Sequence, residues 1–158
     1  MKSWTKKKIK MSDIRYIVNV EAVIYRDDQY LLIKRSDKEE HAPGILSNAG
    51  GKVEIKNPQK EVLEKTIIRE IKEEVDIELK SPFHYLESKS FYLDKKELII
   101  DIIFLCEYKS GQAKCKDKEE VDQVYWLSYK EIMANKEIED WLKNTIIKAE
   151  NFRKNNLG

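Results

Sequence analysis

Apolar and polar positions change rhythm along this chain, and the changes mark out its elements. Residues 15–25 (RYIVNVEAVIY) are mostly β-branched or aromatic, Asp27-Asp28-Gln29 interrupts them, and residues 30–33 (YLLI) resume. That pattern predicts a hairpin of two strands. His41-Ala42-Pro43-Gly44 reads as a loop, and Ile45-Leu46-Ser47-Asn48 as a short strand. The period then becomes helical. Val62, Leu63, Ile67, Ile68, Ile71 and Val75 form one apolar side, Asn57 is a good N-cap and Pro58 suits the first helical position, so a helix is predicted over 58–75. Ser81-Pro82 starts a loop, residues 83–91 read as a strand, Asp94-Lys95-Lys96 as a turn, and 97–108 as a long buried strand, giving a second hairpin. A polar loop follows over 110–120, with a last strand over 123–127. Ser128 and Glu131 then match a capping box. A closing helix over 135–152 carries Ile138, Trp141, Leu142, Thr145 and Ile146 at helical spacing, a pattern of core packing, and 153–158 reads as a fraying end. Strands before and after one central helix predict an α/β fold with a mixed sheet packed between helices.

The size and charge of the chain narrow the possibilities. Its 158 residues, 41% of them hydrophobic, fit one domain over 1–158 with a real core. Lys and Arg total 30 against 29 acids, a formal net charge of +1, so no global field points to a nucleic-acid polymer or an acidic membrane. Residues 1–12 hold five lysines and read as a flexible basic leader without the apolar stretch of a signal peptide. No window approaches a membrane span, and Cys106 and Cys115 make no disulfide or ligand framework. A cytoplasmic protein is the expectation.

The densest chemistry lies between Gly50 and Ile77. Gly50-Gly51 lets the backbone turn and approach a ligand. On the helix behind it Glu70, Glu73 and Glu74 stand at i, i+3 and i+4, within one narrow sector. A solvated acidic face is the commoner meaning of a Glu pair on a Lys-rich helix. Three acids bordering a buried stripe are costly without a cation, however, and hard oxygen ligands suit Mg²⁺ or Mn²⁺.

Arg69-Glu70-Ile71-Lys72-Glu73-Glu74 behind Gly50-Gly51-Lys52-Val53-Glu54 resembles the signature box of the Nudix hydrolases. That box reads Gly, five residues, Glu, seven residues, Arg-Glu, an aliphatic, any residue, Glu-Glu, any residue, Gly, an aliphatic. Two departures stand out. Nine residues instead of five separate Gly51 from Glu61, so either Glu61, counted back from Arg69, or Asn57, counted forward from Gly51, fills the box glutamate position. The four extra residues would form one added turn at the helix start. Asp76 replaces the glycine that ends the helix, and Asp tolerates a left-handed conformation better than most residues.

The resemblance implies the Nudix α/β/α sandwich and a metal-dependent hydrolase of nucleoside diphosphates linked to another moiety, with Mg²⁺ or Mn²⁺ as cofactor, a small nucleotide as partner and a homodimer as a common assembly. By the same resemblance Glu70, Glu73 and Glu74 are metal ligands, assisted by a backbone carbonyl near Gly50. Arg69 orients the carboxylates, Glu61 supports them, and Gly51, Lys52 and Arg35 stand near the phosphates. Glu120, of the pair Glu119-Glu120, matches a loop glutamate that in some members ligates metal or activates water, which leaves Glu73, Glu74 and Glu120 all open as general base. His41 reads as an exposed loop histidine. Tyr85, Phe91, Tyr92 and Trp126 are candidate stacking groups, although strand aromatics are usually core. Pro82 comes too soon after the box for the ADP-ribose-cleaving members. A non-catalytic nucleotide-binding or sensor module of the same fold is the alternative, and an interaction domain whose acids are mere surface is a third.

Overall fold

The computed structural model describes residues 9–158. Most of the basic leader expected over 1–12 lies outside the described residues; Met11–Asp13 forms a single 3₁₀ turn with no buried side chain.

The first hairpin is present as β1 (Arg15–Arg26) and β2 (Gln29–Arg35), with Asp27 at φ 52 in the turn. β3 (Leu46–Ser47) pairs antiparallel with β2, and β4 (Ala49–Lys52) pairs antiparallel with β1. The double glycine thus lies within a strand, not in the turn expected of it: Gly50 stands opposite Glu21 and Gly51 opposite Val20, and neither has a positive φ. What is needed there is the absence of a side chain.

Helix α1 (Val62–Glu74) starts four residues later than its sequence suggests. Residues 54–61 are all exposed, since the run from Lys56 to Glu61 offers no apolar side chain for a helical turn to bury. The extra residues therefore make an exposed loop and not an added turn, and Asn57 does not cap the helix. Glu61 occupies the N-cap at φ 56 without a side-chain cap bond. At the other end Asp76 adopts φ 58, as its tolerance of the left-handed region allows, and Lys72, Lys114 and Lys116 pair with its carboxylate.

β5 (Glu78–Tyr92) and β6 (Glu97–Ser110) form the second hairpin. Ser81-Pro82 is not a loop but lies inside β5, where the ladder shifts register between Lys80 and His84. An edge strand with a bulge is where a sheet accommodates proline. β6 runs parallel to β1 over eleven register pairs from Arg15–Glu97 to Tyr25–Glu107, and β7 (Val121–Ser128) pairs antiparallel with β2, so the sheet is mixed. The Ser128–Glu131 capping box opens α2 (Tyr129–Ala134) as its sequence predicts. The Asn135 side chain then accepts the Glu137 N–H at 2.9 Å in a tight turn, which delays α3 to Asp140–Asn156. Its last residues do not fray: the Arg153 guanidinium lies 4.0 Å from the Tyr25 ring centroid and donates to the Asp27 carbonyl.

Alternation along β1 divides the core. Val20, Ala22 and Ile24 pack with Ile67 and Ile71 of α1 and with Val75 just past its end, while Val23 joins Tyr30, Leu32 and Leu105 against Ile138, Leu142, Ile146 and Ala149. One sheet between two helical layers is an α/β/α sandwich.

Candidate active site

Three carboxylates converge where α1 passes under β4. Glu70, Glu74 and Glu120 each offer an oxygen, all within 4.8 Å of one another. Glu70 and Glu74 come from one helix face, being four residues apart. Glu120 comes from the turn before β7, which is fixed when its carbonyl accepts the Ser36 N–H at 2.9 Å. The same loop runs past the end of α1, where the Lys114 and Lys116 N–H groups bond the Val75 and Glu74 carbonyls at 3.1 and 3.0 Å. Orphan carbonyls at a helix C-terminus are thereby satisfied, and the loop that delivers Glu120 is held to the helix that delivers its neighbours.

The glycine strand completes the cradle. Gly50 donates its N–H to Glu74 Oε2 at 3.2 Å. A Cβ on Gly51 would stand 2.3 Å from the Glu70 carboxyl carbon, so only glycine lets that side chain lie against the strand. Arg69 pairs with Glu70 at 2.7 Å and Glu73 at 3.4 Å, and it donates to the Lys52 carbonyl at 3.3 Å, tying helix to strand.

Electrostatics follow from this crowding. Burial pushes the Glu74 carboxyl well above the usual carboxylate range, and the neighbouring Glu120 and Glu70 raise it further. Burial raises Glu70 as well, with Arg69 opposing it, and Glu120 is also raised, first by desolvation. Of three like charges Arg69 offsets one. An all-oxygen donor set with unbalanced negative charge fits Mg²⁺ or Mn²⁺.

Not every expected residue joins this group. Glu73 is 57% exposed and faces Arg69 and an open groove lined by Val53, Glu54, Ile55 and Lys56. Glu61 is exposed, and its side chain makes no hydrogen bond or ion pair among the described residues. Arg35 turns back on its own loop, donating to the His41 carbonyl at 3.1 Å and pairing with Glu39 at 3.5 Å. Lys52 is exposed at the end of β4, and His41 is exposed. Tyr85, Phe91 and Tyr92 are exposed, whereas Trp126 packs edge-on to Tyr108 beneath Arg26.

A second polar group was not singled out by sequence. Asn19, Glu21, Asn48 and Asp101 gather on the α3 side of the sheet, with Asn19 donating to Asp101 at 2.9 Å and Asn48 to Glu21 at 3.2 Å. Burial and the nearby Asp101 push the Glu21 carboxyl up to about 8. The available signal was Asn19, Glu21 and Asp101 interrupting runs otherwise apolar at their register.

A mixed α/β/α sandwich with an acid-bearing helix under a glycine strand defines a recognisable class of proteins. The family model of the NUDIX domain matches residues 15–148, and the chain belongs to the NUDIX family. The crystal structure of a MutT NUDIX hydrolase from Burkholderia pseudomallei is similar at TM-score 0.70 and 23% identity, covering 85% of this chain and 98% of that one. A MutT protein from Methanosarcina mazei Go1 gives 0.71 and 22% over 91% and 98%. A structure of UDP-X diphosphatase gives 0.62 and 18% over 87% and 64%. No curated protein matches the chain. Among the described residues no helix is long and apolar enough to cross a membrane.

Proposed function

We propose that this chain is a hydrolase that uses water to cleave a phosphoanhydride bond in a nucleoside diphosphate linked to another moiety, with Mg²⁺ or Mn²⁺ held by Glu70, Glu74 and Glu120. The observation that carries this reading is the convergence of those three carboxylates within 4.8 Å in a partly desolvated cradle. Family membership supports the same class of reaction. When bound, the cation supplies positive charge to the phosphate oxygens and makes water at the site more acidic.

The chain's own groups do the rest. The Gly50 N–H fixes the Glu74 carboxylate, Gly51 leaves room for Glu70, and Arg69 orients Glu70 and Glu73 while holding α1 against β4. Such rigid support is what keeps ligands in productive geometry. Glu120 is the exposed member of the trio. It is therefore the carboxylate within reach of incoming water and serves as the proton acceptor, since a base must first be near its proton. Glu73 flanks the groove and assists from the solvent side.

Product analysis on a panel of nucleoside triphosphates, nucleotide sugars and dinucleoside polyphosphates with Mg²⁺ tests this reading. Glu74→Gln is expected to lower turnover by about 10²–10³-fold, the usual loss when one electrostatic support is removed. It should also abolish the rise in Tm that Mg²⁺ gives the wild type. Nucleotide binding without cleavage under any divalent ion would instead make the chain a sensor, and no Mg²⁺ effect of either kind would make the acids mere surface.

A further inference from the structure

Helix α1 leaves part of its own side of the sheet bare. Val20 packs in the core beneath α1, and because side chains alternate along a strand, Val18 and Tyr16 point the same way. Their register partners carry that face across the sheet: Tyr16 stands beside Leu98 and Leu98 beside Tyr92, Val18 beside Ile100 and Ile100 beside Ser90, and Phe104 beside Tyr85. Ile68 lies on the flank of α1 away from β4, about 200° round the helix from Glu70. None of the four largest of these groups is covered: Tyr16 is 46% exposed, Ile68 54%, Tyr85 57% and Tyr92 63%.

The charges of the same strand segments lie on the reverse of the sheet. Glu87 accepts from Thr145 at 2.7 Å and from Lys148 at 2.9 Å, Lys89 lies 4.9 Å from the Trp141 ring centroid, and Asp101 accepts from Asn19 at 2.9 Å. That leaves Ser88 and Ser90 as the polar residues on the α1 side, where the Tyr85 hydroxyl donates to Ser88 Oγ at 3.1 Å. Exposed tyrosine, isoleucine and serine where lysine and glutamate are absent is the composition of an interface core, not of a solvated face. Four large side chains about half exposed leave roughly 400–600 Å² of largely apolar surface, the size at which a patch on a single chain is often functional.

We infer that this face binds a second copy of the same chain, sheet against sheet, about a two-fold axis that passes near Ser90. In a two-fold interface each patch meets itself, so a fixed charge near the axis would oppose its own like charge, whereas a hydroxyl, able both to donate and to accept, can pair with its copy. The uncharged face is self-complementary in that sense, and Ser90 is the small residue that lets two copies approach. Two such faces bury on the order of 1,000 Å², the lower bound of a specific interface, so the dimer is weak and concentration-dependent. Edge-to-edge pairing through β5 is not the mode: Pro82, the register shifts around it and the edge lysines Lys80 and Lys89 blunt that edge. The acid trio lies toward β4 on the other flank of α1 and stays open in the pair, so the inference stands apart from the hydrolase reading.

Sedimentation velocity on the full chain tests it, with loading concentrations from about 2 to 200 µM to span a micromolar dissociation constant. The wild type is expected to pass from monomer to dimer over that range. Ser90→Lys and Ser90→Glu should each weaken the dimer at least about tenfold, since each sets like charges against one another at the axis, and an equimolar mixture of the two should recover association. Melting curves check that both variants are folded; should either fail to fold, Tyr92→Ser, which only trims an exposed ring, replaces it with the same expected weakening. A wild type still monomeric at the highest concentration overturns the inference and leaves the face to another protein or to none. Association that continues past the dimer, a dimer that none of these variants weakens, or a Lys and Glu mixture that stays monomeric overturns it as well.

Discussion

At the scale of single residues, the two glycines are the sharpest constraint on the site. Gly51 lies in extended strand, where alanine has no backbone objection, so a substitution tests space alone. The new Cβ would meet Glu70 Oε1 and Oε2, both at 2.6 Å, and drive that carboxylate off its place. Gly51→Ala is therefore expected to leave the fold intact and to lower kcat/KM by about 10²-fold, the scale associated with displacing a catalytic group by about 1 Å. Steady-state kinetics and a melting curve on the same preparation check this. Activity within twofold of wild type would mean that Glu70 has no fixed role. Glu120 belongs to the same scale. Glu120→Gln keeps its shape but removes the carboxylate proposed as proton acceptor, and a loss of about 10²–10⁴ in kcat is expected, with Mg²⁺-induced stabilisation retained in part through Glu70 and Glu74.

At the scale of elements, the acids of α1 were legible because a 3.6-residue period fixes which side chains share a face, whatever the surroundings. Glu70 and Glu74 follow from that period alone. The departure of Glu73 toward solvent does not, since it depends on where β4 lies beside the helix. The helix starts at Val62, past its local start signal, for a related reason. Asn57-Pro58 is a good local signal, but nothing between Lys56 and Glu61 can be buried, and helices in proteins are held mainly by their packed face. The chain enters α1 through Glu61 in the left-handed region, a conformation that costs a non-glycine residue about 1–2 kcal/mol. Glu61→Gly should remove most of that cost and raise Tm by about 2–4 °C for a domain of this size. Unchanged kcat/KM is expected, because the Glu61 side chain touches nothing that positions the trio; a loss of activity with a raised Tm would instead give that carboxylate a working role.

At the scale of the whole molecule, both faces of the sheet carry acids held above their ordinary pKa, and this sets how stability responds to pH. For a carboxyl whose pKa is raised by folding, the folded state binds the proton more tightly than the unfolded chain. Its contribution is complete below the ordinary value and is lost as pH climbs through the raised one. For Glu21 that window runs from 4.5 to about 8. Glu70, Glu74 and Glu120 have the same sign. Asp76, drawn down to about 2 by its lysines, has the opposite sign, but its contribution is already complete above pH 5. In EDTA the Tm should therefore fall between pH 5 and 8.5. Glu21→Gln should flatten one part of that slope and Glu74→Gln another. Mg²⁺ should flatten only the part that Glu74→Gln removes, because the cation stabilises ionised carboxylates on the α1 side and leaves Glu21 across the sheet untouched. Melting curves of the three proteins, with and without Mg²⁺, separate the two faces. A Tm that holds or rises from pH 5 to 8.5 in EDTA would mean that these acids are ionised without penalty, and the electrostatic case for a cation among Glu70, Glu74 and Glu120 would fail with it.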